Sequence, residues 1–266
     1  MTAGRRAGST GDTTGDTTGE AAAALALKLA RWAAAEIRTR PSMSATKVNP
    51  ADIVTDTDIR VEEYVREVIA AAFPGHGVTG EERAPTPAAE GNPTWFLDPV
   101  DGTTNYASGL PWSSFSLALA DAEGPVIGVV ADPYRDEIFT AQRGRGAYLN
   151  GQRIHCSDQQ SLAGTVVLTE WNGHVAWPGA FAMIEALSER HCTVRVLGSS
   201  ALSLVTVAAG RAAAVVFGEY HPVDTMAGLL IAQEAGALLD RTKPAPHGVI
   251  AAAPALLPAV AEALAR

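Results

Sequence analysis

Two aspartates three residues apart, Asp98 and Asp101, sit in the run Trp95-Phe96-Leu97-Asp98-Pro99-Val100-Asp101-Gly102-Thr103-Thr104-Asn105-Tyr106. The apolar start reads as a short strand, and the glycine and threonines read as a turn into a helix. Carboxylates paired at a strand end are hard oxygen ligands of the kind that bind divalent cations. The amides of Gly102, Thr103 and Thr104 suit an anion beside those cations. The chemistry implied is metal plus phosphate. Three further acidic places stand out: Gly80-Glu81-Glu82, Asp56 with Asp58 near a helix start, and Asp224 within His221-Pro222-Val223-Asp224-Thr225. Each alone fits a blander role, a helix cap for the aspartates and a solvated surface for the glutamates. None by itself establishes a metal site.

Positioning these residues needs alternating helices and strands. Residues 1–19, with the repeat Gly11-Asp12-Thr13-Thr14-Gly15-Asp16-Thr17-Thr18, hold almost nothing to bury and read as a disordered tail. Glu20 to Arg40 is alanine-rich and reads as a helix stopped at Pro41. A loop follows over Ser42 to Asn49. A second helix starts near Thr57, with Val61, Val65, Val68, Ile69 and Ala72 on one face. Trp95 to Leu97, Phe115 to Leu119, Val126 to Val130, Ile138 to Ala141, Val166 to Thr169, Val194 to Leu197, Ala213 to Phe217, Leu238-Leu239 and Val249 to Ala252 read as strands. Residues 180–190, Ala201 to Ala209, Ala227 to Ala235 and 255–265 read as helices. Strands cluster in the middle and alternate with helices late, which points to layered sheets and helices.

The bulk numbers fit a globular chain of 266 residues, 47% hydrophobic and 18% charged. A net charge of −9, with no basic run longer than Arg5-Arg6, argues against a nucleic-acid partner and suits a cationic ligand. Cys156 and Cys192 lie far apart without a CxxC and read as reduced thiols. With neither a secretory signal nor an apolar stretch of membrane-spanning length, a cytoplasmic protein with no membrane association is expected.

Four separated motifs resemble, in order, those of the inositol monophosphatase family, Mg-dependent and lithium-sensitive phosphomonoesterases. They are Lys47 with Asp52-Ile53-Val54-Thr55-Asp56-Thr57-Asp58; Gly80-Glu81-Glu82; Asp98 through Tyr106; and Pro222-Val223-Asp224 with Ala227-Gly228. Gly144-Arg145-Gly146-Ala147, Asn150-Gly151, Gly198-Ser199 and Ala208-Ala209-Gly210-Arg211 are similar too. The resemblance spans roughly Ala21 to Arg266. It implies a five-layer αβαβα sandwich over residues 20–266, with a metal-site half over roughly 20–150 and a second half over 151–266. It also implies a homodimer, a small phosphorylated metabolite as substrate, and two or three Mg²⁺ ions, with Mn²⁺ as an alternative.

By position, the resemblance assigns one ion to Glu81, Asp98 and the Val100 carbonyl, and a second to Asp98, Asp101 and Asp224. It assigns the orientation of a nucleophilic water to Glu81 and to Thr103 backed by Asp58, and substrate contacts to Asp101, Gly102, Thr103, Gly198, Ser199 and Lys47. Water then displaces the alcohol directly, with no phosphorylated protein. Divalent ions make this feasible by cancelling phosphate charge and acidifying a bound water.

Two positions depart from the family pattern. Val223 stands where a tryptophan usually precedes the last metal aspartate, which removes a ring but no ligand. Phe217 stands where inositol-cleaving members carry a sugar-binding glutamate, with Glu219 two residues on. A phenyl ring cannot accept a hydroxyl proton, so the alcohol half is expected to be something other than plain inositol, or to be held less tightly. Histidinol phosphate, a sugar bisphosphate or a nucleotide 3′-phosphate are the alternative substrates. A non-catalytic regulator that binds RNA polymerase is the reading from another class.

Overall fold

In the strands that carry the core, neighbouring side chains go to opposite faces, and each face meets a different helical layer. The computed structural model describes residues 13–171, 173–244 and 247–265. It opens on α1 (Thr13–Ile37), a two-stranded ribbon of β1 (Ser44–Thr46) and β2 (Ile53–Thr55), and α2 (Asp56–Ala72). A seven-stranded sheet follows, in the order β3 (Gly77–Gly80), β4 (Thr94–Asp101), β5 (Ser114–Asp121), β6 (Gly124–Asp132), β7 (Glu137–Gln142), β8 (Ala147–Leu149) and β9 (Gln152–Ile154). The short helix α3 (Thr103–Ser108) links β4 to β5. The later chain supplies β10 (Val166–Thr169), α4 (Ala180–Glu189), β11 (Thr193–Val196), α5 (Ser200–Ala208), β12 (Ala214–Phe217), α6 (Pro222–Glu234), β13 (Leu238–Asp240), β14 (Val249–Ala252) and α7 (Leu257–Ala263). Its strands form a second sheet in the order β11-β10-β12-β14-β13.

Leu117 and Val129 of the first sheet face α1 and α2 through Leu29, Ile37, Val61 and Val65. One residue on, Ala118 and Val130 join Leu204, Leu229 and Ile231 of α5 and α6. Val215 of β12 enters that same middle layer, while Val216 turns outward to Met183 and Leu187 of α4 and Val260 of α7. The layers are therefore helices, sheet, helices, sheet, helices, the αβαβα sandwich that the motifs imply. No helix among the described residues is long and apolar enough to cross a membrane.

The strands Val166–Thr169 and Val249–Ala252 lie where the residue pattern places them. Other elements differ. Helix α1 begins at Thr13, seven residues before the expected start, so Thr13 to Gly19 is helical; residues 1–12 of the expected tail lie outside the described residues. Extending a packed helix adds a backbone bond per residue without a new nucleation cost, so weak sequence follows. The expected loop over Ser42 to Asn49 contains β1, held by its register with β2. Strand β4 runs past Leu97 to Asp101.

Candidate metal and phosphate site

In a regular strand, residues three apart point to opposite faces. Asp98 and Asp101 do not, because the β4–β5 register shifts between them. Pro99 has no N–H to give the ladder there, and a bulge is how a strand accommodates that. The Val100 N–H turns back to Asp98 Oδ1 at 3.0 Å. Both aspartates thereby reach one side of the strand end, and both are buried.

Glu81 comes to the same place from β3. The Glu82 and Arg83 amides donate to the Glu62 carboxylate of α2 at 2.7 and 3.0 Å. Glu62 is fully buried and balanced by Arg66 at 2.8 Å. Gly80 is needed for this, since a Cβ there would lie 2.4 Å from Glu62 Oε1. Glu62 escapes a reading of residue types because Val61-Glu62-Glu63 looks like a helix face plus solvated charge; only its i,i+4 spacing to Arg66 hints at a partner.

Asp58 sits in the first turn of α2, whose N-cap Thr55 and Asp58 form a capping box. Its other oxygen, Oδ1, accepts from the Thr103 hydroxyl at 3.2 Å, and that hydroxyl also lies 2.9 Å from the Val100 carbonyl. Asp56, by contrast, is structural: it takes the Ser42 and Met43 amides and pairs with Arg60. Asp224 lies in the first turn of α6, behind Pro222. Lys47 reaches across from the ribbon to Glu81 at 2.9 Å and Glu82 at 2.7 Å. Ser199 is expected to face substrate, but here its hydroxyl donates to Asp101. The Ser200 and Ala201 amides donate to the same carboxylate at 3.1 and 2.8 Å.

Glu81, Asp101, Gly102, Thr103, Gly198 and Asp224 line one cleft of about 700 Å³. Burial, then Glu81, Asp101, Asp224 and Asp58, hold the Asp98 carboxyl well above the usual carboxylate range. Burial, then Asp101 and Glu81, do the same to Asp224, with Lys47 opposing. Burial raises Asp101 to about 6 against the Ser199, Ala201 and Ser200 donors, and Asp58 to about 6 against Thr55. Burial also opposes the charge on Lys47, but Glu81 and Glu82 outweigh it and push its pKa up.

Among the described residues, no three Asp, Glu, His or Cys side chains converge closely enough to hold an ion as they stand. Asp101 is turned to the start of α5, and Lys47 spans Glu81 and Glu82. The donor set nonetheless fits a hard cation. Several carboxylates raise one another's pKa in a buried space, and Lys47 opposes this at Asp224. Such a cluster must bind protons or cations, since a buried uncompensated charge is costly.

A pH dependence follows. Groups whose folded pKa is raised contribute stability below the unfolded value near 4 and lose it as pH rises through the folded value. For Asp58 and Asp101 that value is about 6, and Asp98 and Asp224 are also raised. The melting temperature of the metal-free protein is therefore expected to fall from about pH 4 to 7. Magnesium needs deprotonated ligands, so at about 100 times its Kd it should add roughly 6–10 °C at pH 8 and much less at pH 5. Thermal melts in EDTA and in Mg²⁺ check this; a metal-free melting temperature that rises over that interval contradicts it.

Residues 16–266 match the model of the inositol monophosphatase family. Over 202 residues the chain is 38% identical to a protein of Pasteurella multocida named Nus factor SuhB, covering 75% of this chain and 76% of that one. It is 40% identical over 202 residues to inositol monophosphatase 2 of Solanum lycopersicum, covering 71% and 74%. The crystal structure of extragenic suppressor protein suhB from Bartonella henselae superimposes with a TM-score of 0.83 at 27% identity, over 92% of this chain and 98% of that one.

Proposed function

The chain belongs to the inositol monophosphatase family, and we propose that it hydrolyses a small phosphomonoester with Mg²⁺ at the cleft beside Asp98 and Asp101. The observation that carries this reading is the gathering of Glu81, Asp98, Asp101 and Asp224, whose charges act on one another in a largely buried space. Glu81, Asp98, the Val100 carbonyl, Asp101 and Asp224 would hold the ions. When bound, the ions neutralise phosphate charge and lower the pKa of a coordinated water.

The chain's own residues do the rest. The Thr103 hydroxyl has one proton and two acceptors within reach, Asp58 and the Val100 carbonyl. When the hydroxyl donates to Asp58, its lone pairs are left to accept a hydrogen bond from water and so orient it. Glu81, at the cleft wall, is placed to orient the same water. The phosphorus–alcohol oxygen bond breaks as water's oxygen bonds to phosphorus. The alcohol leaves with one of the water's two protons, and the other stays on the released phosphate.

The alcohol half falls in an adjoining space of about 370 Å³ lined by Trp171, Phe217, Glu219, His221 and Val223. Phe217 is buried there and offers no acceptor to a sugar hydroxyl. A panel of inositol 1-phosphate, histidinol phosphate, fructose 1,6-bisphosphate and nucleotide 3′-phosphates, assayed with Mg²⁺ and with EDTA, tests both parts. Phosphate release from several of them, abolished by EDTA, is the expected result. A strong and unique preference for inositol 1-phosphate would refute the role given to Phe217, and no release from any of them would refute the activity.

The relative named Nus factor SuhB accords with a second reading, a non-catalytic regulator that binds RNA polymerase. The net charge of −9 disfavours direct RNA contact, so such a role would run through a protein partner. A homodimer is the assembly that the family resemblance implies, and light scattering would measure it.

A further inference from the structure

Glu170 is a buried carboxylate, 6% exposed, that the chemistry above leaves without a task. It follows directly on β10 and lines both the main cleft and the adjoining alcohol space. Among the described residues, no Lys, Arg or His forms an ion pair with it. Its donors are neutral: the Gly198 amide at 2.6 Å on Oε2 and the Ser203 hydroxyl at 2.7 Å on Oε1. Burying a charge against neutral donors costs stability, so its presence calls for a compensating role.

The two residues it grips bracket the segment that grips Asp101. Between Gly198 and Ser203 lie Ser199, whose hydroxyl donates to Asp101 Oδ2, Ser200, whose amide meets Oδ1, and Ala201, whose amide meets Oδ2. Asn105 of α3 steadies the approach by donating to the Leu197 carbonyl at 2.7 Å. A carboxylate has about four lone-pair sites. Oδ2 receives Ser199, Ala201 and, more distantly at 3.4 Å, the Ser114 hydroxyl of β5, whereas Oδ1 receives only Ser200, which leaves one site on Oδ1 for a further partner. The segment thus determines which oxygen of Asp101 can meet a cation, and Glu170 holds the segment at both ends.

We propose that Glu170 is a positioning residue for the metal site: by clamping Gly198 and Ser203 it aims Asp101 at the cation, without touching phosphate itself. The proposal rests on the metal reading of the cleft. Groups that orient metal ligands in this way alter metal affinity by about 10–100-fold when removed.

The test is calorimetric titration of Mg²⁺ into the full chain without substrate, alongside the Mg²⁺ dependence of phosphate release. Glu170→Ala should weaken Mg²⁺ binding about 10–100-fold. Its substrate KM, measured at saturating Mg²⁺, should change far less. Glu170→Gln, which keeps one acceptor, should recover part of the affinity. Should Glu170→Ala fail to fold, Ser203→Ala removes one of the two grips and should shift Mg²⁺ affinity in the same direction by a smaller factor. Unchanged Mg²⁺ binding in these variants, with only a lower melting temperature, overturns the proposal while leaving the metal reading in place. Failure of the unaltered chain to bind Mg²⁺ overturns the metal reading, and this proposal with it.

Discussion

Asp98→Asn is expected to lower phosphate release by at least about 10³-fold while leaving the fold intact. Metal-centred charge stabilisation contributes several kcal/mol to such a reaction, and each 1.36 kcal/mol is tenfold in rate. Asp98 is among the residues that would hold the ions, so its loss would weaken their binding. The amide is nearly isosteric, and its oxygen can keep the 3.0 Å bond from the Val100 amide. Stability should not suffer. The carboxylate is buried and repelled by Glu81, Asp101, Asp224 and Asp58, so neutralising it removes a strain that the metal-free chain bears. The expected pattern is a metal-free melting temperature at or above that of the parent chain at pH 8, with a much smaller rise on adding Mg²⁺. Phosphate release above about a tenth of the parent rate would show that the ligand assignment is wrong.

The same residue shows how far types and spacing carry an argument. The Asp98-to-Tyr106 run, Glu81 and Asp224 could be picked out because acidic residues beside turns and helix starts are few and chemically specific. Strands with a buried face, such as Val166–Thr169, were legible because burial imposes a pattern. Strands β1 and β9 were not, since β1 is exposed throughout and Gln152 and Arg153 of β9 are exposed, so neither carries a period. The bulge at Pro99 was hidden for another reason: it depends on the register with β5, a partner that residue order does not specify. Glu62 and Glu170 were missed because a buried carboxylate and a surface one are the same letter. What distinguishes them is the backbone amides they receive, and these come from residues 20 and 28 positions away.

Gly102→Ala should injure stability and activity together, through backbone rather than chemistry. Gly102 caps α3 in the left-handed region, with φ of 89°. A side chain there costs about 1–2 kcal/mol from conformation alone. A Cβ would also lie 2.7 Å from the Gly198 carbonyl oxygen and 3.0 Å from that of Trp112, both main-chain atoms that cannot swing aside. Overpacking of this kind adds roughly 1–3 kcal/mol, for a fall in melting temperature of about 5–15 °C. The displaced partner is the turn that leads into the Asp101-gripping segment, so the site is pushed apart where α3 and α5 meet. Displacement of about 1 Å can cost 10²-fold in rate, and a loss of at least that size is expected. Gly91→Ala isolates the cause. Gly91 also has a positive φ, 78°, but nothing lies within 4 Å of its Cβ position, and it does not line the cleft. That variant should show the conformational cost alone and keep its activity. Equal loss of activity in both variants would mean that the contact between Gly102 and Gly198 has no part in holding the site.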